Sequence, residues 1–449
     1  MGKLFGTDGI RGEANQYPMN ATMAFDVGQA LTRVLKDEGK HGRVVVGKDT
    51  RISGYMIESA LEAGITSMGG SVEMVGVLPT PGIAYITESM RADAGVVVSA
   101  SHNPFQDNGI KIFSGSGFKL SDEEEAHIEE LILGGQLSTM VPHARDMGRA
   151  HRLEDAMGRY VVFLKNTFPR SLSLDGVKIA LDVGHGATYK VAPAVFAELG
   201  ADVTVINDEP NGYNINDNCG SQHTERLRQV VLDTGSVVGL AFDGDGDRLI
   251  AVDERGQEIR GDQVLMICAR QLQLEGKLVK DLLVTTVMSN LGLREACRTF
   301  DIVHHASGVG DRNVLEDMQR LGGVLGGEDS GHMIFLKHHT TGDGTLSALQ
   351  LVATMLKSGR PLSELATVMA IFPQKLINID VTSKPPVEDI AGLTDAIARV
   401  ESELEGRGRV LVRYSGTQNM CRVMVEGPSE DVTDRYAEQI ADVVRAAIG

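Results

Sequence analysis

Short β-branched runs alternate with longer stretches of helical spacing through most of this chain. At 23–36, Ala24, Val27, Ala30, Leu31, Val34 and Leu35 fall on one helical face. Residues 43–47 read as a strand, 55–68 as a helix, and 71–78 as a strand stopped by Pro79. Val96, Val97 and Val98 predict a buried strand, and a turn at 106–109 returns the chain into a strand at 110–113. An acidic helix over 121–133 opens on Ser121 as its N-cap. The pattern restarts with a strand at 177–183, a turn at 184–187, a helix at 189–199 and a strand at 201–206. A third round has strands at 282–288, 302–305 and 323–325, helices at 293–300 and 314–321, and a long helix at 344–357.

The last part differs. Strands at 376–381, 410–414 and 422–426 combine with helices at 387–404 and 430–447. The expected architecture is three similar α/β domains with mixed sheets (1–150, 151–255, 256–370) and a C-terminal α+β domain (371–449). A length of 449 residues is ample for several cores.

Composition narrows the partners. A formal charge of −18 argues against nucleic acid, because no excess of cations is available to displace counterions. An anionic small molecule stays open, since a few arginines can focus potential in a cleft. Cys219, Cys268, Cys297 and Cys421 lie far apart with no C-x-x-C spacing, as in a reduced cytosolic chain. The start lacks an apolar signal core and no long apolar run follows, so a soluble cytoplasmic protein without a membrane partner is expected.

Four stretches carry candidate chemistry. SASHNP at 99–104 follows the buried strand and delivers a hydroxyl (Ser101) and an imidazole (His102) to one loop, with Lys111 on the returning strand. DGDGDR at 243–248 places Asp243, Asp245 and Asp247 at alternate positions, with glycines removing side-chain bulk, so that they can converge on one hard cation. An EF-hand fails on context: Arg248 stands where glycine is needed, and the flanks are strand-like. Three carboxylates leave an octahedral ion short of ligands, which Mg²⁺ completes with water and phosphate oxygens. A phosphate on Ser101 would meet that need, with Lys111 and Arg248 as cationic clamps. GGEDSGH at 326–332 offers Glu328 and Ser330 to neighbouring hydroxyls. RYSGTQN at 413–419, with Arg422, offers backbone N–H groups, hydroxyls and arginine to a phosphate. The opening FGTDGIRG at 5–12 is a glycine-punctuated turn presenting Thr7, Asp8 and Arg11. GHGATY at 184–189 imitates a dinucleotide fingerprint, but Tyr189 replaces the third glycine.

Together and in this order, SASHNP, DGDGDR, GEDSGH and RYSGTQN resemble the α-D-phosphohexomutase superfamily over the full chain. The LFGTDGIRG opening, NINDNCGS (214–221) and MSNLGL (288–293) resemble its aminosugar branch more than the phosphomannomutase/phosphoglucomutase branch. The resemblance implies a four-domain, heart-shaped molecule with a central cleft. It implies a phosphoserine at Ser101, one Mg²⁺ held by that phosphate with Asp243, Asp245 and Asp247, and sugar contacts from Glu328 and Ser330. Arg413, Ser415, Gly416 and Thr417, with Arg422 nearby, would hold the non-reacting phosphate. Lys111 and His332 would transfer protons or position groups, and Arg11 and Arg248 would face phosphate.

The implied reaction interconverts glucosamine 6-phosphate and glucosamine 1-phosphate. It passes through a 1,6-bisphosphate, with glucosamine or glucose 1,6-bisphosphate as activator, and feeds UDP-N-acetylglucosamine and peptidoglycan synthesis. The partner is a small phosphosugar and the protein a monomer or homodimer. Two departures stand out: Gln418-Asn419 where the family usually has Glu-Pro, and Asp329 where the aminosugar branch often has Gln. The rivals are a mutase of glucose or mannose phosphates, a non-catalytic metal-stabilised sugar-phosphate binder, and a serine acyl-transferase using Ser116 and Lys119 as S-x-x-K.

Overall fold

The computed structural model describes residues 4–6, 8–415 and 419–449. Thr7, Gly416, Thr417 and Gln418, all singled out above, lie outside the described residues.

The first module runs β1 (Ile10–Glu13), α1 (Ala21–Asp37), β2 (Arg43–Lys48), α2 (Gly54–Ser67), β3 (Ser71–Val77), α3 (Thr80–Ser89), β4 (Ala94–Val98), β5 (Asp107–Ser114), α4 (Asp122–Leu133) and β6 (Ala150–Arg152). The second comprises α5 (Ala156–Thr167), β7 (Lys178–Asp182), α6 (Val191–Glu198), β8 (Asp202–Ile206), α7 (Glu225–Thr234), β9 (Val238–Phe242), β10 (Leu249–Asp253) and β11 (Glu258–Ile259). The third comprises α8 (Gly261–Leu274), β12 (Leu282–Thr286), α9 (Leu291–Thr299), β13 (Val303–Ser307), α10 (Asp311–Leu321), β14 (Leu325–Gly327), β15 (Met333–Phe335) and α11 (Gly344–Ser358), followed by the single turn α12 (Leu362–Leu365). The chain ends with β16 (Gln374–Asp380), α13 (Leu393–Leu404), β17 (Arg409–Tyr414), β18 (Met420–Glu426) and α14 (Glu430–Ile448).

The sheets are ordered β1-β5-β4-β2-β3-β6, β11-β10-β9-β7-β8 and β13-β12-β14-β15, with a final β16-β18-β17. Each of the first three mixes directions. β2 runs parallel to β3 and β4, β7 to β8 and β9, and β12 to β14. The chain then reverses: β4 pairs antiparallel with β5, β9 with β10 and β14 with β15. The three reversals carry SASHNP, DGDGDR and GEDSGH respectively. One topological event, repeated, presents one loop each time.

By contact the chain divides into two compact units. One comprises residues 1–287 and 305–367, the other 288–304 and 368–449. In the first, Val27, Leu31, Val44, Val46, Ile57, Leu61, Val96 and Ile110 form the core beneath α1 and α2. In the second, an antiparallel sheet packs α13 and α14 over Ile377, Val400, Val423, Ile440 and Val444.

Some expectations need correction. Residues 107–109 are not a turn but the start of β5, because Asp107, Asn108 and Gly109 pair with Glu13, Gly12 and Arg11. By the same pairing the opening motif ends as strand β1 rather than wholly as a turn. The helix expected over 387–404 begins only at Leu393. Val387–Asp389 is a separate 3₁₀ turn, and Gly392 at φ 74° interrupts the path. Four helices that the hydrophobic pattern does not announce (α3, α5, α7 and α8) lie between the strands. In α3, Pro81 occupies the first turn, where its missing N–H costs nothing.

Candidate functional site

Ser101 sits just past the end of β4, buried, with φ 53°. A left-handed backbone at a non-glycine residue is strained, and it persists because its surroundings over-determine it. Ser101 N–H donates to Ser99 Oγ (2.9 Å), and Ser99 Oγ donates to Asp49 Oδ2 (2.6 Å). Arg51, the largest of the fully buried side chains, holds the outside of the loop. Its guanidinium donates to Asp49 Oδ2 (2.8 Å) and to the carbonyls of Ser101 (2.9 Å), Asn103 (2.7 Å), Asp107 (3.0 Å) and Pro104. Burial pushes the Asp49 carboxyl up, against the opposing pull of Arg51 and Ser99. Asn216, from the NINDNCGS loop, adds bonds to the Ser101 and Asn103 carbonyls at 2.9 and 3.0 Å.

The hydroxyl faces the aspartates. Ser101 Oγ donates to Asp243 Oδ2 at 2.7 Å and lies 3.4 Å from His102 Nδ1. Burial, then Arg248 and Arg11, bring His102 down to about 4, a neutral imidazole at pH 7. Gly244 has no room for a side chain: a Cβ there would sit 2.6 Å from the Ser101 carbonyl oxygen. GHGATY is taken up in packing, and a Cβ at Gly186 would sit 2.5 Å from the Gly244 carbonyl oxygen. Its turn packs on the same loop, with Ala187 N–H donating to the Gly244 carbonyl at 2.8 Å.

Asp243, Asp245 and Asp247 are buried and each brings one oxygen to within 4.8 Å of the others. Oδ1 of Asp245 and Oδ1 of Asp247 have no hydrogen-bond partner among the described residues. Burial, then Asp247 and Asp245, push Asp243 well above the usual carboxylate range. Like charges so close, with buried oxygens unsatisfied, fit a hard divalent cation.

Cations surround the triad. Lys111 Nζ lies 3.0 Å from Asp245 Oδ2, 3.1 Å from Asp8 Oδ2 and 3.7 Å from Asp247 Oδ2. Burial would lower the Lys111 ammonium, but Asp245, Asp8 and Asp247 outweigh it and raise it. Thr80, at the start of α3, donates to Asp245 Oδ2 at 2.7 Å. Arg248 N–H donates to Asp243 Oδ1 at 3.2 Å, and its Nε lies 3.8 Å from Asp247 Oδ1. Arg11 is paired with Asp8. His332 places Nδ1 3.5 Å from Asp247 Oδ2. Burial disfavours its imidazolium, yet Asp247, Asp311 and Glu328 raise it to about 9.

Main chain sews the sugar-loop candidate and the aspartate hairpin to each other and to the starts of α11 and α8. Leu249 N–H donates to Gly331 O (3.0 Å), Gly344 N–H to Gly246 O (3.0 Å) and Gly261 N–H to Asp329 O (3.1 Å). Glu328 Oε1 accepts from Gly310 N–H at 3.0 Å, and Ser330 Oγ stands 3.5 Å from Glu328 Oε2. Ser101, His102, Lys111, Asp243, Asp245, Asp247, Arg248 and His332 are therefore tied together by contacts, Arg11 joins them through Asp8, and Glu328 and Ser330 stand on the loop sewn beside them.

Arg413, Ser415 and Arg422 belong to the other unit. Arg413 and Arg422 are cross-strand partners on β17 and β18, and Lys384 Nζ donates to the Ser415 carbonyl at 3.0 Å. The acyl-transferase reading fails: Ser116 is exposed, with its Oγ 2.9 Å from Ser114 Oγ, while Lys119 Nζ is engaged by Asp8 and Asp311.

Family models describe the same modules. Phosphoglucomutase/phosphomannomutase α/β/α domains I, II and III match residues 2–138, 158–256 and 260–372, and the C-terminal domain of that family matches 376–443. The chain belongs to this family of phosphohexomutases. A phosphoglucosamine mutase of Syntrophobacter fumaroxidans is 68% identical over the whole of both chains. In fold, the chain resembles a phosphoglucomutase/phosphomannomutase family protein from Burkholderia thailandensis (TM-score 0.80, 22% identity, 99% of this chain and 97% of that one). It also resembles an Aspergillus fumigatus N-acetylphosphoglucosamine mutase determined with GlcNAc-6P and magnesium (TM-score 0.70, 18% identity, 99% and 96% covered).

Proposed function

We propose that this chain is an isomerase that interconverts glucosamine 6-phosphate and glucosamine 1-phosphate through a phosphoserine at Ser101. The observation that carries the chemistry is the Ser101 hydroxyl, 2.7 Å from Asp243 at the edge of three buried carboxylates. The aminosugar assignment is supported by the full-length relative named phosphoglucosamine mutase.

In the forward half-reaction the bond from Ser101 Oγ to phosphorus breaks and a bond from phosphorus to the free sugar hydroxyl forms. The hydroxyl gives up its proton, the departing Ser101 Oγ takes one up, and a 1,6-bisphosphate results. After that intermediate turns around, its other phosphate returns to Ser101. A Mg²⁺ held by Asp243, Asp245, Asp247 and the seryl phosphate would neutralise charge on the transferring group. Lys111, Arg248 and Arg11 supply fixed positive charge toward phosphate, and Lys111 and His332 serve proton transfer or positioning. Glu328 and Ser330 read sugar hydroxyls. Arg413, Ser415 and Arg422, with Gly416 and Thr417, hold the distal phosphate, as two arginines side by side on adjacent strands are suited to do. Glucosamine or glucose 1,6-bisphosphate is the activator that loads Ser101, and the product would feed UDP-N-acetylglucosamine synthesis.

A cytoplasmic setting suits the four free, buried cysteines, and no helix among the described residues is long and apolar enough to cross a membrane. The test is turnover with Mg²⁺ and a catalytic bisphosphate on glucosamine, glucose and mannose 1-phosphates, with Ser101→Ala as control. At least about ten-fold preference for the aminosugar is expected. Preference for a neutral sugar overturns the substrate and keeps the chemistry. No turnover on any of them, with no phosphate mass on Ser101, overturns the enzyme.

A further inference from the structure

Six side chains of the first unit, three of them given no role above, form a closed ring of alternating charge. From Asp247 Oδ2 it passes to Lys111 Nζ (3.7 Å), Asp8 Oδ2 (3.1 Å), and from Asp8 Oδ1 to Lys119 Nζ (2.5 Å). It continues to Asp311 Oδ2 (2.6 Å), then His332 Nε2 (3.6 Å), and closes from His332 Nδ1 on Asp247 Oδ2 (3.5 Å). The members come from separate pieces of chain: the opening motif, β5, the turn after it, the first residue of α10, the GEDSGH loop and the aspartate hairpin.

Asp247, Lys111 and His332 already have roles at the reacting centre. Lys119 and Asp311 have none. Lys119 is only 11% exposed and spends its ammonium on two carboxylates at once. Asp311 in turn faces one of the two nitrogens of His332, while Asp247 faces the other. Each nitrogen thus has a carboxylate within 3.6 Å, an electrostatic contact that favours one orientation of the ring, with no hydrogen bond at Nε2 among the described residues. Gly342 lets the ring lie flat against the main chain, since a Cβ there would fall 2.3 Å from His332 Nε2. On the opposite arm, Asp8 is a shared partner of Lys111 and Lys119, so the position of Lys111 depends on Lys119 as well.

We propose that Lys119 and Asp311 are positioning residues of the mutase reaction, fixing the Lys111 ammonium and the His332 imidazole beside the aspartate triad. This rests on the reading of the chain as a phosphosugar mutase. Misplacing a catalytic group by about 1 Å can cost up to roughly a hundred-fold in rate, and each link of the ring is that kind of constraint.

The experiment is steady-state turnover of glucosamine 1-phosphate with Mg²⁺ and bisphosphate by wild type, Lys119→Met, Asp311→Asn, Lys119→Arg and the double variant Lys119→Met/Asp311→Asn. Asp311→Asn retains the volume and a hydrogen bond to Lys119, so it decides the matter even if Lys119→Met fails to fold. The expected result is a kcat lower by about ten- to a hundred-fold in each disruptive single variant, with KM within about three-fold of wild type. Lys119→Arg, which can still bridge both carboxylates, should recover most of kcat. Because both residues act through one ring, the double variant should be no slower than the slower single variant. Wild-type kcat in Asp311→Asn, a loss confined to KM, or multiplying effects in the double variant would each overturn the proposal. Absence of turnover by the wild type, in the same assay, would overturn the mutase reading itself.

Discussion

Replacing Arg51 separates the stability of the serine loop from the chemistry performed there. Arg51→Met deletes the partner of a fully buried carboxylate and one donor to each of the carbonyls of Ser101, Asn103, Pro104 and Asp107, of which Asn216 still serves the first two and the Asp107 N–H the third. Breaking a buried ion pair from one side costs about 3–5 kcal/mol. The four carbonyls add to this less than their sum, because water can enter once the side chain is gone. Asp49, already pushed up by burial and released from Arg51, takes up a proton, which limits the penalty. Arg51→Lys keeps a positive charge beside Asp49, but a single ammonium cannot span four carbonyls in different directions. Its stability cost should be the smaller, about 1–3 kcal/mol, yet its turnover should fall as steeply as that of Arg51→Met. The assay pairs turnover with hydrogen exchange of the loop amides, among them Asn103, which donates to Ala100 O, and Asp107, which donates to Pro104 O. Arg51→Lys with wild-type turnover and wild-type protection over 101–107 would refute the reasoning.

His339 should register in the pH dependence of stability. Its Nε2–H donates to Pro81 O and its Nδ1 accepts from Thr340 N–H, both at 2.8 Å, so the neutral ring is fully satisfied and burial brings it down to about 4. The unfolded chain therefore binds the extra proton first, and stability should fall by up to about 3 kcal/mol as pH drops from about 6.5 to 4. Asp343, which burial raises to about 6, opposes this over part of the window, so the His339 share is the difference between wild-type and His339→Gln thermal midpoints across pH. Identical curves would show that the ring is not held neutral. Removing divalent metal with a chelator should abolish turnover, and Mg²⁺ at a hundred times its Kd should stabilise the protein by about 2.7 kcal/mol. Asp245→Ala should erase that calorimetric shift, and a shift that survives would place the metal elsewhere.

The sequence shows the loops more clearly than what holds them. DGDGDR and SASHNP declare themselves because alternating carboxylates and a hydroxyl-imidazole loop at a strand end are local patterns. The Ser121 cap was equally legible: both halves of its capping box form, with Ser121 and Glu124 satisfying each other's backbone. Arg51 was not. In KDTR it resembles any polar turn after a strand, and only folding delivers the carbonyls of 101–107 to it. Lys119 and Asp311 are 192 residues apart and carry no motif in common. Strand β1 was missed for a related reason: its pairing with β5 is a long-range choice that glycine-rich local sequence does not announce. Long-range ion pairs and strand partners are properties of the assembled chain, whereas turns, caps and metal hairpins are properties of a few consecutive residues.

The backbone seam that joins the aspartate hairpin, the GEDSGH loop and the starts of α8 and α11 bears on how this molecule can diverge. Its bonds run from Leu249, Gly344 and Gly261 to the carbonyls of Gly331, Gly246 and Asp329, and a carbonyl is the same whatever side chain accompanies it. Asp329, the residue that departs from the pattern of the aminosugar branch, contributes its main chain to the seam. Its side chain adds bonds of its own, Oδ1 accepting from Asp262 N–H at 3.2 Å and Oδ2 pairing with Arg260 at 2.7 Å, so the path of the loop rests on the identity of residue 329 only in part. A substitution there loses the side-chain share of the anchorage, while the main-chain bonds still fix the course of the loop beside Glu328. A site built this way inherits its shape from the scaffold and its preferences from separately replaceable parts.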